Sequence, residues 1–294
     1  MPRFLQVILA AVSFGTRFQG PVKPADSGLF AAALALQPAA GLWIGLAAAV
    51  LPMFLAVNFR GLQGLMLFAS GIYLFLLEWL TRFDNLHEFD AACRMLAGAN
   101  VPPEERIRRR TQSGSAPCTA ILIGLKLLLL YLIFMRTALF GDHMMLAVTL
   151  VSVPFFGRIA MLFAYPSGKT GPAVSGVVKT FWMLLALFLL AFLLGMLRIY
   201  GGDFFSFRTM KLTMSGFNGS NGNGVAPLIV LISLGIQDTI LFFGAGFLSV
   251  IYWNTEASKK LGEKPSPFFA GAMCETAELA TMTIFLILAD DLIF

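Results

Sequence analysis

The stretch that decides the fold is residues 117–135, PCTAILIGLKLLLLYLIFM, in which Lys126 is the one charged residue. About twenty apolar residues in a row are enough for a helix to cross the hydrocarbon core of a bilayer. Similar runs recur along the 294-residue chain, which is 58% hydrophobic with a mean hydropathy of +0.80. A single soluble core cannot bury that much apolar surface, so the sequence predicts an all-α integral membrane protein.

The apolar runs predict a polytopic helical bundle of about seven transmembrane helices, forming a single membrane-embedded domain, 1–294. They lie at 29–57, 62–81, 117–135, 139–164, 176–200, 225–253 and 268–288. The first run contains Pro38 and Pro52 and is long enough for one tilted helix or for a broken one. The segment from Phe4 to Phe14 is too short to span, so we expect an N-terminal helix that lies at the interface.

Positive charge alternates between the loops and determines the predicted orientation. Fifteen of the 21 Lys and Arg residues fall in four segments, and five fall in the three loops between those segments. Because loops rich in Lys and Arg stay in the cytoplasm, the N terminus and the active-site loop 82–116 are predicted to be cytoplasmic. We therefore expect a multi-pass protein of the cell (inner) membrane. Its pI near 9.3 indicates contact with anionic membrane lipids, and no nucleic-acid partner is predicted.

Two segments differ in composition from the apolar runs. Loop 82–116 is the longest cytoplasmic loop, and Asp84 to Leu96 predicts a helix within it, with Pro102 starting a second one. Residues 215–224, SGFNGSNGNG, form a low-complexity Gly/Asn tract, which predicts a flexible outer loop.

Two carboxylates lie close together at the start of the cytoplasmic loop. Asp84 and Glu88 are four residues apart, so in a helix both project from one face, with His87 beside them. Such a pair repels unless a cation lies between the two groups, and Mg²⁺ bound by carboxylates and substrate phosphates meets that need. The alternative is a solvated polar face at the end of the second span, and spacing alone favours this alternative.

A basic run precedes the third span. Residues from Arg106 to Arg110 lead into Gly114 and Ser115, so guanidinium groups and backbone amides are available there to hold a phosphate. A cluster that binds lipid headgroups and maintains the topology explains the run at least as well.

Charges inside the predicted spans are costly and therefore indicate function. Lys126 lies about two helical turns into the third span, and Asp238 lies in the middle of the sixth. Arg158 is near the inner end of the fourth span, where a long side chain can also extend to the headgroups. In the last span, Glu275 and Glu278 are three residues apart, an arrangement that favours a polar cavity, a cation or Arg158 over lipid.

In this order, these pieces resemble the cobalamin synthase family, the adenosylcobinamide-GDP ribazoletransferases. Residues 14–18 (FGTRF), followed by Pro21, are similar to the Phe-x-Thr-Arg-x-Pro opening of the family. Residues 83–92 lie where the family carries Leu-Asp-Gly-Leu-Ala-Asp-x-x-Asp-Gly. There Asp84 matches, Glu88 replaces the second Asp, and Asp90 lies one residue from the position of the third.

The resemblance continues to the last span. Gly114, Ser115 and Lys126 fit a family stretch of Asp-Ser-Arg-x-Gly-Thr-x-Gly that precedes a span containing Lys, although the Asp-Ser-Arg is replaced. Arg158, followed by residues 165–171 (YPSGKTG), resembles the family's Arg and its Pro-x-x-Arg-x-x-Gly-like element. The Gly-Ala-x-x-Glu-x-x-Glu part of the family's ending is present at residues 271–278, without the preceding Gly-Asp.

The resemblance implies a Mg²⁺-dependent transferase. Family members transfer the adenosylcobinamide phosphate moiety from adenosylcobinamide-GDP to α-ribazole or its 5′-phosphate and release GMP, so these molecules are the implied partners. The implied catalytic residues are Asp84, Glu88, Lys126, Arg158, Glu275 and Glu278. The implied Mg²⁺ ligands are Asp84, Glu88 and Asp90, and the implied substrate-binding residues are Arg17, Gly114, Ser115 and Lys169.

A second interpretation belongs to another class of protein. The same fold is compatible with a non-catalytic or transport-like membrane protein that binds a corrinoid or another amphipathic ligand and whose acidic motif has decayed. A homo-oligomer is compatible with either interpretation.

Overall fold

The computed structural model describes residues 3–14, 16, 27–59, 62–97, 117–140, 143–165, 174–186, 188, 244, 247–261 and 269–290. Every secondary-structure element within these ranges is helical. Four helices are long and apolar enough to cross a membrane: Gln37–Asn58, Gln63–Leu80, Pro117–Leu139 and Ala270–Ile287. The described part of the chain is thus all-α with four candidate membrane spans. The total of about seven spans stays a prediction.

In chain order, the helices are α1 (Arg3–Ser13), α2 (Ser27–Ala35), α3 (Gln37–Asn58), α4 (Gln63–Leu80), α5 (Asp84–Ala97), α6 (Pro117–Phe140), α7 (His143–Leu162), α8 (Gly176–Ala186), α9 (Ser258–Leu261), which follows a π-helical segment at Tyr252–Ala257, and α10 (Ala270–Asp290).

The first apolar run, 29–57, forms a broken helix, which is one of the two forms predicted for it. The helix stops before Leu36, and α3 begins at Gln37 with Pro38 in its first turn. Proline is well suited to that position because it lacks an N–H that would have no partner there and because its φ angle is already helical. Pro52 remains inside α3.

The other predicted helices agree with the structure to different extents. Helices α4, α6 and α10 lie where the second, third and last spans were predicted, and α5 confirms the helix that was predicted from Asp84. Helix α1 coincides with the short N-terminal helix, whose interfacial position stays a prediction. Helix α8 covers the beginning of the fifth predicted span. Most of the sixth span, the second helix predicted from Pro102 and the tract 215–224 lie outside the described residues.

Helix α7 lies at the centre of the bundle, packed between α3 and α10. The contact with α3 is very close, since a Cβ at Gly41 would lie 2.7 Å from the backbone oxygen of Pro154. Small residues allow helix backbones to approach each other in this way inside membranes. Helix α10 also contacts α5 and α6, and α4 packs against α3 and α6. The side chains of the last span are therefore surrounded by several other helices.

A tight turn joins α4 to α5. Arg82 and Phe83 both have φ of 60°, a left-handed conformation that glycine usually adopts. The N–H of Phe83 donates to the carbonyl oxygen of Glu78 at 2.8 Å, which satisfies one of the last carbonyl groups of α4. This turn places Asp84 at the start of α5, immediately after the end of α4.

Candidate functional site

Lys126 is fully buried in α6 and is surrounded by three glutamates. Its Nζ lies 3.2 Å from Oε1 of Glu78 on α4 and 2.7 Å from Oε2 of Glu278 on α10. It also forms an ion pair with Oε2 of Glu275 on α10. One oxygen from each of the three carboxylates lies within 4.8 Å of the other two. We call Glu78, Lys126, Glu275 and Glu278 the buried charge cluster.

Helix positions explain how the buried charge cluster is assembled. Glu275 and Glu278 are three residues apart, so they share one face of α10, and both pair with Lys126 of α6. Helix α7 closes the cluster through Gly157, where a Cβ would lie 2.7 Å from Cγ of Glu278. Tyr73, one to two turns before Glu78 on α4, is also fully buried, and its hydroxyl donates to the carbonyl of Leu150 at 2.6 Å.

A line of polar groups connects the buried charge cluster to α5. The thiol of Cys274 donates to Oε1 of Glu278 at 3.6 Å and accepts from Nδ2 of Asn85 at 3.4 Å. Nearby, Oε2 of Glu88 accepts the N–H of Gly271 at 2.5 Å. A carboxylate at this position is favourable because the first N–H groups of a helix carry partial positive charge. The start of α5 is thereby attached to the start of α10.

Arg158 lies beside this line of polar groups and is only 1% exposed. Its Nη1 donates to Oε1 of Gln37 at 3.2 Å, and Nε2 of Gln37 donates to the carbonyl of Ala11 at 2.9 Å. The alternative in which Arg158 extends to the headgroups is therefore wrong. Burial raises the pKa of Tyr165 well above its usual value, with Glu88 adding to the rise and Arg158 opposing it. Glu88 and Arg158 thus both lie within electrostatic reach of Tyr165.

The three acids implied as Mg²⁺ ligands do not converge. Asp84 is exposed and Glu88 is half-buried against α10, whereas Asp90 is buried on the side of α5 that faces α6. There Asp90 accepts from the hydroxyl of Thr119 at 3.0 Å and pairs with Arg94 at 2.8 Å. A Mg²⁺ ion held by all three acids does not fit these contacts. Within the described ranges, one group of three acidic, His or Cys side chains brings its potential ligand atoms together. This group is the three glutamates around Lys126.

The other residues singled out in the sequence fall into two groups. Lys126 is in direct contact with Glu275 and Glu278, and Glu88 and Arg158 both lie within electrostatic reach of Tyr165. The remaining residues lie outside the described ranges: Arg17, the run from Arg106 to Arg110, Gly114, Ser115, Lys169 and Asp238.

Sequence reasoning missed Glu78, although a signal was present. Glu78 is a lone acid near the end of the apolar run 62–81, and its burial is costly for the same reason as that of Lys126. Gln37 was missed as well, since an amide near a helix start has many ordinary explanations. Its contact with Arg158 depends on how α3 packs against α7.

The fold and the site define a class of protein, an α-helical protein with four candidate membrane spans and a buried charge cluster contributed by three of them. Comparisons of the chain with protein-family models, curated proteins and solved structures give no match.

Proposed function

We propose that this protein is a membrane-embedded transferase of the cobalamin synthase type. It transfers the adenosylcobinamide phosphate moiety from adenosylcobinamide-GDP to α-ribazole or its 5′-phosphate and releases GMP, at the cytoplasmic face of the cell (inner) membrane. One observation carries the proposal: residues from separate motif segments meet on α10. Glu88 bonds the backbone of Gly271, and Lys126 pairs with Glu275 and Glu278.

This convergence supports the proposal because the segments are far apart in the chain. Glu88 and Gly271 are separated by 183 positions, and Lys126 and Glu278 by 152. Residues that perform one reaction have to be held in one place by rigid elements.

The geometry supports different roles for the buried and the exposed groups. Lys126 is enclosed by three carboxylates, and the excess negative charge around it repels a phosphate. Lys126, Glu275 and Glu278 are therefore positioning residues that hold α4, α6 and α10 together. Substrate contact falls to the exposed start of α5, where Asp84 and His87 are accessible.

The reaction itself requires attack by a ribazole hydroxyl on phosphorus, with GMP as the leaving group. A carboxylate or imidazole near that hydroxyl accepts its proton, and Asp84 and His87 are the exposed groups of this kind on α5. Glu88, attached to the start of α10, keeps that end of α5 in place. Because Asp84, Glu88 and Asp90 do not converge, no step is assigned to a Mg²⁺ ion bound by all three.

The test is an end-point assay on purified protein in detergent. Adenosylcobinamide-GDP and α-ribazole 5′-phosphate are supplied with Mg²⁺ or with EDTA, and GMP and the corrinoid product are quantified by mass spectrometry. We expect GMP and product in equal amounts, and Asp84→Asn should lower the rate by about 10²–10⁴-fold if it is the proton acceptor. With seven predicted spans and a cytoplasmic N terminus, Asp291 is predicted to lie after the last span at the outer face, so Asp291→Asn is the matched control and should retain the wild-type rate. Folded protein that releases no GMP contradicts the proposal.

A second candidate function is a non-catalytic or transport-like membrane protein that binds a corrinoid or another amphipathic ligand. The contacts of Asp90 favour it, since this acid is occupied by Arg94 and Thr119 and does not join Asp84 and Glu88. Retention of adenosylcobinamide-GDP on the protein without any release of GMP selects this candidate.

A further inference from the structure

The buried charge cluster contains more negative than positive charge. Three carboxylates face the single ammonium group of Lys126, and none of the four side chains is more than 5% exposed. Counting Arg158 on α7 as a second cation still leaves one negative charge in excess. Removing an ion from water costs several kcal/mol unless an opposite charge compensates it, so this excess has to be neutralised.

One carboxylate oxygen of the cluster indicates where the neutralising group binds. Oε1 of Glu275 is buried and has no hydrogen-bond partner in the described part of the chain, whereas Oε2 of the same group bonds Lys126. An ionised oxygen that is buried without a donor carries the full desolvation penalty. A carboxyl group that holds a proton is neutral and avoids most of this penalty.

The space inside the cluster distinguishes a proton from a metal ion. The three carboxylate oxygens that lie within 4.8 Å of one another enclose a region that a cation would occupy, but Nζ of Lys126 is already bonded to all three glutamates there. A metal ion would have to displace this ammonium group. A proton binds to a single oxygen and needs no such space.

We propose that the buried charge cluster is a proton-binding site, in which one exchangeable proton is held among Glu78, Glu275 and Glu278 at neutral pH. The proton comes from water and bonds to one carboxylate oxygen, which raises the charge of the cluster by one. No bond within the protein breaks. This proposal is independent of the transferase reaction.

Neighbouring helices contribute further polar and charged groups around the cluster. These groups are Tyr73 on α4, Asn85 and Glu88 on α5, Arg158 on α7 and Cys274 on α10. The contacts from Asn85 to Cys274 and from Cys274 to Glu278 form a continuous polar route from the start of α5.

The test is infrared spectroscopy of the full chain in lipid nanodiscs at neutral pH. A protonated carboxyl group has a C=O stretch above the amide and carboxylate bands, and this stretch shifts in D₂O. We expect the band in the wild type. We expect its loss in Glu275→Gln, because the two remaining carboxylates, Glu78 and Glu278, are balanced by Lys126 and Arg158 and need no proton. Glu78→Gln and Glu278→Gln should act in the same way and serve as replacements if Glu275→Gln does not fold.

Asp90→Asn is the matched control, since Asp90 is a buried acid outside the cluster that Arg94 keeps paired at 2.8 Å. It should leave the band unchanged. The proposal is overturned if the wild type lacks the band, or if all three glutamine variants retain it at full intensity. Loss of the band on addition of Mg²⁺ to an EDTA-treated sample also overturns it, because a metal ion is then the neutralising group.

Discussion

Replacing Lys126 with methionine tests whether the buried charge cluster holds the helices together. Methionine retains the apolar length of the lysine side chain, so the loss of packing is small. The loss of charge is large, because the ammonium group is fully buried and pairs with three carboxylates, at 2.7 Å with Glu278 and at 3.2 Å with Glu78. Removing one partner of a buried ion pair costs about 3–5 kcal/mol, and we expect this loss in the free energy of unfolding.

The assay is reversible denaturation in detergent micelles, followed by tryptophan fluorescence. Lys260→Met on α9 removes an exposed lysine and is the matched control, which should change the free energy of unfolding by less than about 0.5 kcal/mol. The double variant Lys126→Met/Glu275→Gln carries one uncompensated carboxylate fewer than Lys126→Met. Its loss in the free energy of unfolding should therefore be about 0.5–3 kcal/mol smaller than the sum of the losses of the two single variants. A Lys126→Met loss as small as that of the control, or strictly additive effects, would refute the reasoning.

Three further predictions test the surroundings of the cluster. Gly157→Ala should lower the free energy of unfolding by about 1–3 kcal/mol, because a Cβ there would lie 2.7 Å from Cγ of Glu278. Thermal melting checks this prediction, and Gly124→Ala, where a Cβ meets no atom within 4 Å, is the control. Tyr73→Phe should lower the free energy of unfolding by about 1–3 kcal/mol in the same assay, since the carbonyl of Leu150 on α7 loses the hydroxyl that donates to it at 2.6 Å. An unchanged melting curve contradicts this prediction. Burial, with Cys118 beside it, raises the pKa of Cys93 to about 12. In maleimide labelling followed by mass spectrometry, the exposed Cys118 should therefore react first, and the rate at Cys93 should rise about tenfold per pH unit below that pKa; equal rates at pH 8 would contradict this.

The helices themselves could largely be predicted from local sequence patterns. The runs behind α4, α6 and α10 are long and apolar, and a helix of that composition satisfies its own backbone wherever it lies in the bundle. The same local reasoning identified Lys126 and Glu275 as costly charges within apolar runs. Applied evenly, it would have identified Glu78 too, because the cost of removing a charge from water is the same whichever residue later pairs with it.

The sequence by itself determined that the chain forms apolar helices and that a few charges must be buried within them. Only the tertiary structure decided which charges meet. The period of 3.6 residues assigns a side chain to one face of a helix but not to a neighbour, and Lys126 is 48 positions from Glu78 and 152 from Glu278. Asp90 shows the same limit, since its side of α5 meets Thr119 of α6 while Glu88 meets α10. Such pairings depend on how whole helices pack, with α7 between α3 and α10 and with α10 also against α5 and α6.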